Sequence, residues 1–453
     1  MPTGRSGSKS MQSARVSAAI AAVILSFSAF AGVANADEYH YTNMLVGERP
    51  AGLAGAYTAV SDDPAGMYYN PAGISFRTGG NLSASLNAYF VSNKNYDNAL
   101  GSQAWERSMS ALQPNFFGIV QDFWKGALGF SYAVPDSISS DQDQVFTDFQ
   151  IQTIENNLPK TVNVKRYAIN YNQDDNTYLF GPSYAMKITE DLAIGTTLYI
   201  HYRDHEQIAN LQSIYIVNQS DVVGWGNVYI EGRELGLRPM IGLMWSPSDE
   251  KYAIGASVSK TFILDSNFSV VQSSYLEGKF ERYEAATDAR RQTELKVAVG
   301  GAWFPTQSIM LSADVTYYSG VDEVSDRNPE AHYYPQKVQP LEPVVGIKKY
   351  PVINVAGGIE WYISPISAIR AGLFTNFANT PKVKSGGTDQ EEHVDLYGGS
   401  LSYSMFSKSS SLTFGASVSR GTGQAQINSD IPTSIQNLDI TNMLFFMGTS
   451  YSY

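Results

Sequence analysis

Residues Gly47 to Ser75 read GERPAGLAGAYTAVSDDPAGMYYNPAGIS. Gly47, Gly52, Gly55, Gly66 and Gly73, with six alanines between them, leave this stretch too poor in bulky side chains to build a core of its own. Glycine lets backbone approach backbone closely and permits turns with φ > 0. Asp62-Asp63-Pro64 and Asn70-Pro71 are turn formers, because proline fixes φ and Asn or Asp side chains bond their own backbone. A compact, turn-rich segment of this kind must be packed inside something larger. The rest of the chain reads as that container.

Past Gly79 alternating segments are joined by very short turns and separated by long polar stretches. The short turns lie in DFWKGALGFSY (from Asp122), MKITEDLAIG (from Met186), WSPSDEKYAIG (from Trp245), WFPTQSIMLS (from Trp303), YISPISAIRAG (from Tyr362) and MFSKSSSLTFG (from Met405). An aromatic or Met often precedes the turn, as suits a membrane interface. The long stretches, 92–110, 135–175, 204–233, 263–291, 319–350, 378–392 and 421–441, read as outer loops, although TVNVKRYAINYN (161–172) alternates well enough to extend a hairpin above the membrane. Six short turns interleaved with seven loops require about fourteen strands, the outer-membrane pattern. The fold class is therefore all-β: a transmembrane antiparallel barrel (80–453) with an N-terminal hatch (37–79) plugging its lumen.

Individual strands show the required two-faced pattern. From Leu192, one face carries Leu192, Ile194, Thr196, Leu198, Ile200 and Tyr202, and the other Ala193, Gly195, Thr197, Tyr199, His201 and Arg203. Successive side chains of a strand point to opposite faces, so an apolar face meets lipid while a small or polar one meets the lumen. The final run, NMLFFMGTSYSY, puts Met443, Phe445, Met447, Thr449, Tyr451 and Tyr453 on one face. A closed barrel requires this last strand to pair with the first.

Residues 1–36 have the parts of a secretory leader: Arg5, Lys9 and Arg15, then VSAAIAAVILSFSAFAGV, then Ala34-Asn35-Ala36 as a cleavage pattern. No later stretch approaches the ~20 apolar residues of a spanning helix. The formal charge is −12 and charged residues are 16%, which argues against nucleic-acid binding, since that needs a basic surface. With zero cysteines, disulfides, thiolate metal sites and a Cys nucleophile are excluded.

Residues 52–75 resemble the N-terminal hatch of the FadL family, outer-membrane transporters of long-chain fatty acids and hydrocarbons in Gram-negative bacteria. The matched elements are Gly52, Gly55-Ala56-Tyr57, Ala59, Asp62-Asp63 and Asn70-Pro71-Ala72 with Gly73. The start Asp37-Glu38-Tyr39-His40-Tyr41 is more polar than the family's apolar N-terminal residues. The resemblance implies a monomeric passive channel in the outer membrane, inserted by the barrel-assembly machinery and surrounded by outer-membrane lipid. Its partner is a hydrophobic small-molecule ligand, long-chain fatty acids first. It implies no enzymatic activity and no cofactor. It also implies a hatch that shifts, with Asn70-Pro71-Ala72 at the hatch–barrel junction, and a sideways exit where the third strand is kinked inward. Gly126, Gly129 and Pro135 are the residues of that strand able to permit a bulge and a broken ladder.

Arg166, Arg203, Arg233 and Arg238 are the candidates for binding a carboxylate, since charge-assisted pairing with Arg is strong. Asp204-His205 beside His201 offers no nucleophile at a fixed spacing, and no metal site is read. Two alternatives stay open: a FadL-like accessory shuttle barrel in protein secretion, and a general polar porin. An apolar pocket with a few polar groups would mark a channel for a hydrophobic ligand, and a wide polar lumen a porin.

Overall fold

The computed structural model describes residues 39–77, 80–155, 158–217, 219–247, 251–276, 278–326, 329–334, 344–387, 390–426 and 435–452. The leader lies outside them. Two short helices, α1 (Glu48–Gly52) and α2 (Gly66–Tyr69), and a 3₁₀ turn (Pro71–Ser75) make up the regular part of the hatch. Fourteen strands then form the wall: β1 (Asn81–Leu100), β2 (Gln103–Phe123), β3 (Gly126–Glu155), β4 (Leu158–Lys187), β5 (Leu192–Val217), β6 (Ser220–Trp245), β7 (Tyr252–Lys260), β8 (Leu295–Thr306), β9 (Ile309–Tyr318), β10 (Val352–Ser364), β11 (Ser367–Asn376), β12 (Leu396–Phe406), β13 (Ser410–Gln426) and β14 (Ile435–Ser452). Each pairs antiparallel with the next, and β14 closes on β1 with Asn81 opposite Ser452. All six short turns join neighbouring strands.

The faces follow the alternation. On β5, Ile194, Leu198 and Ile200 point outward, while Ala193, Gly195, Thr197, Tyr199, His201 and Arg203 are buried on the lumen side. Exposed Trp245, Trp303 and Trp361 mark the turn end of the apolar belt. At its other end Tyr132, Tyr178 and Tyr202 stack across β3, β4 and β5, with centroids 6.3 and 6.2 Å apart. On β5 the belt spans Ala193 to Tyr202, about the 9–11 residues a tilted membrane strand needs.

The long polar stretches correct the sequence reading. Instead of loops, β3 and β4 run 30 residues each, and β5 and β6 run 26. Above Tyr202 the pattern inverts: polar residues face water outside, and apolar ones pack inside. Tyr167, Ile169, Tyr171, Leu211, Tyr215, Val228 and Ile230 form a buried cluster there with Tyr96, Trp105, Phe146 and Leu438. A strand that faces water rather than lipid loses its apolar outer face, so it reads as loop. The hairpin 262–276/279–287 extends this raised wall by pairing with the outer half of β6.

The hatch sits on a ring of lumen-facing glycines. A Cβ at Gly195 would overlap Pro71, one at Gly242 Asn70, one at Gly255 or Gly300 Thr58, and one at Gly358 or Gly372 Leu53 or its neighbour Ala54. Leu53, Tyr57, Met67 and Ile74 are wholly buried between hatch and wall. Within the hatch, Gly66 and Gly73 both close on Ser61, and Gly55 takes φ +85° as the chain leaves α1.

Candidate functional site

Charge and backbone hydrogen bonds hold the hatch in place. Arg49 donates to both oxygens of Glu360, at 3.2 and 2.9 Å, and to Asp62 at 2.5 Å. Glu360 lies opposite Arg370 in the β10–β11 register and accepts from its Nε at 2.5 Å. Asp314 accepts the Tyr57 and Thr58 backbone N–H groups at 2.9 and 2.8 Å. The buried Asn70 side chain donates to Thr58 O within the hatch and to Leu243 O on the wall, and accepts from Ala72 N. Asp63 caps the following turn through Ala65 N, while Asp62 serves the Arg49 pair. Glu360, Arg370 and Asp314 were not singled out from sequence. Their signal is a charged side chain on the small-residue face of a strand.

Glu48 adds a pH-sensitive contact. It is buried against Gly448, with Ser83 Oγ 3.2 Å from each carboxylate oxygen. Burial pushes its carboxyl up to about 7, reinforced by Asp63 and opposed by Ser83 and Arg370. A carboxyl raised on folding is more protonated in the native state than in the unfolded one. Its contribution is full below the ordinary range and is lost as pH rises through about 7. Hydrogen exchange across 48–55, corrected for intrinsic rates, is expected to be about tenfold less protected at pH 8 than at pH 6. Glu48→Gln should abolish that difference.

The β2–β3 ladder is broken. It pairs continuously from Phe123↔Gly126 to Phe116↔Ala133, and next at Ser110↔Ser139. Pro135, which has no N–H to donate, sits in the gap, and the β3–β4 register also shifts between Ala133 and Asp136. The outward face of β3 changes parity across 134–138, from Phe130 and Tyr132 below to Asp141 and Asp143 above. Gly126 and Gly129 lie in the intact ladder. They are small because a Cβ would strike Ala185 O and Met67 respectively, so the break belongs to Pro135 alone among the three.

The hatch's leading segment covers the gap from inside. Met44 N donates to Pro135 O at 3.3 Å, and buried Asn115 donates to Leu45 O at 2.7 Å. Met44 and Leu45 pack with Phe90, Val134, Leu444 and Phe446. Further up, this segment is tied to the wall and the β11–β12 connection. Thr42 exchanges hydrogen bonds with Asn376, His40 Nε2 lies 2.7 Å from Val394 O, and Tyr39 OH donates to Glu391.

Beside the gap lies a cavity of about 130 Å³, bordered by Pro135 and Asp136 and by Tyr41 and Tyr68 of the hatch region. Five cations line it, together with the carboxylates of Asp136 and Glu294. Arg203 is held by Asp175 (2.9 and 2.7 Å) and Arg291 by Glu234 (2.7 Å). Arg238, Lys296 and Lys349 form no salt bridge among the described residues. Arg238 and Lys296 lie over the Tyr68 ring at 5.7 and 5.6 Å, and Lys349 over Tyr41 at 5.8 Å. Of the four sequence candidates, Arg203 and Arg238 reach this cavity. Arg166 bonds Gln212 on the outer face, and exposed Arg233 pairs with Asp204 and Glu231. Strand parity separates them, and it also points to Lys296, which sequence reading missed. His205 bonds Asp175 as part of the wall.

The molecule is a closed fourteen-stranded transmembrane β-barrel plugged by an N-terminal hatch. This is the fold of the FadL-type channels. A FadL homologue of Pseudomonas aeruginosa superposes with a TM-score of 0.60 at 13% identity, over 91% of this chain and 99% of that one. The Ralstonia pickettii toluene transporter TbuX gives 0.57 at 14% identity over the same shares. The monoaromatic hydrocarbon channel CymD gives 0.53 at 10% identity, again over 91% and 99%. No family model and no curated protein matches the chain.

Proposed function

We propose that this protein is a passive outer-membrane channel for hydrophobic compounds bearing one anionic group, long-chain fatty acids first, with exit sideways through the β2–β3 gap. The observation that carries the reading is the cationic cavity set against the ladder break. Its ~130 Å³ volume suits a head group and is below the 300–1,000 Å³ of a pocket that encloses a whole ligand. Arg238 and Lys296 supply charge for a carboxylate, and the apolar cluster above and the Met44–Val134 cluster beside it suit a tail. Toluene has no anionic group with which these cations could pair. The packed hatch argues against a wide polar porin.

The test is uptake of labelled oleate and of toluene by cells depending on this protein. Arg238→Ala with Lys296→Met should lower oleate uptake at least tenfold and leave toluene uptake unchanged. An equal fall for both would remove the head-group assignment.

A further inference from the structure

The outer face of the raised wall carries a groove of about 600 Å³ that takes no part in the path described above. Two cross-strand rows form it. In the first, Asp143, Asn170, Asn210 and Asn227 stand side by side on β3, β4, β5 and β6. Their side chains make a chain of hydrogen bonds: Asn170 donates to Asp143 at 2.7 Å, Asn210 to Asn170 at 3.1 Å, and Asn227 to Asn210. In the second row Ala168 leaves a depression between Gln212 and Val145, and Trp225 stands at its end. Trp225 is held by a stacked Tyr275, centroids 6.3 Å apart and 11° between planes, and by Phe280 at 6.2 Å.

We infer that this groove binds the saccharide of the lipopolysaccharide surrounding the barrel. Each ladder amide commits one N–H to its neighbour and keeps the other for a ligand. Strands repeat at ~4.8 Å, so the row offers amide donors and acceptors along a line, as the hydroxyls of a sugar chain require. A sugar ring also has a C–H face, which a fixed Trp ring covers, since an aromatic body supplies apolar area beside polar groups. Arg166 and Asp143 cancel in charge, so the groove is matched to neutral hydroxyls rather than to phosphates.

Position selects the occupant. From Tyr202, at the outer rim of the apolar belt, β5 runs about 33 Å to Gln212, or roughly 25 Å along the membrane normal at a ~40° tilt. The groove therefore continues the lipid-facing surface upward, on the same outward faces. What stands beside the wall at that height is the sugar of the lipid whose tails cover the belt. This inference rests on the outer-membrane placement proposed above.

The experiment is calorimetric titration of the detergent-solubilised full-length protein with lipid-free oligosaccharide, released by mild acid from the lipopolysaccharide of its own cells. Saturable binding is expected. Trp225→Ala and Asn210→Leu should each weaken it at least tenfold, while Tyr397→Ala, at an exposed site elsewhere on the wall, should not. Both groove variants should keep wild-type oleate uptake, which shows that they fold and separates this test from that of the channel reading. Absence of binding by the wild type, equal binding by the groove variants, or binding that disappears on dephosphorylation of the oligosaccharide would overturn the assignment. So would binding that requires the lipid tails.

Discussion

Glu360→Ala should release the hatch. Glu360 is 1% exposed and is the carboxylate shared by Arg49 of the hatch and Arg370 of the wall. Its loss leaves two guanidinium groups close together in a buried site with no anion between them. Breaking a buried pair by removing one partner costs about 3–5 kcal/mol, because the remaining charges keep their desolvation penalty. Asp62 still holds one nitrogen of Arg49, but nothing replaces the Arg370 contact. The expected result is rapid cleavage of the 47–75 segment by added protease in detergent, and at least a tenfold rise in single-channel conductance. Glu360→Gln should fall between, since an amide oxygen still accepts one hydrogen bond while the charge is gone. Unchanged conductance in Glu360→Ala would place the hold of the hatch on Asp314, Asn70 and the glycine seats instead.

How much of this was legible in the sequence depends on what each face of a strand meets. Where lipid lies outside, apolar and small residues alternate, and strands such as β5 and β14 could be read with the correct faces and turns. Above Tyr202 water lies outside and a core inside, so the stretches 135–175 and 204–233 look polar although they are paired strands. The hatch declared itself through glycine and alanine. The reason, contact with the wall at Gly195, Gly242, Gly255 and Gly300, depends on pairs far apart in the chain. The same is true of the cationic cavity. Arg203 and Arg238 could be nominated, but that Asp175 neutralises the first while the second faces Tyr68 and Lys296 follows only from the closed register.

The hatch and the gap are one device, because the segment that ends in the hatch also covers the break beside Pro135. A covalent bond between them should therefore stop sideways exit without disturbing the barrel. Met44 and Val134 share one buried cluster, and Met44 N is 3.3 Å from Pro135 O. Cysteines at 44 and 134 thus lie on adjacent backbones, as a disulfide requires. The chain contains zero cysteines, so Met44→Cys with Val134→Cys can pair only with each other within one molecule. Oxidised, this variant should take up oleate and toluene at least tenfold more slowly than wild type, whatever the head group, and dithiothreitol should restore both rates. Each single variant should transport normally under oxidising conditions. Transport that persists with the bond formed would mean that ligands leave through the hatch into the periplasm. The break at Pro135 would then serve only to let β3 bend outward into the raised wall.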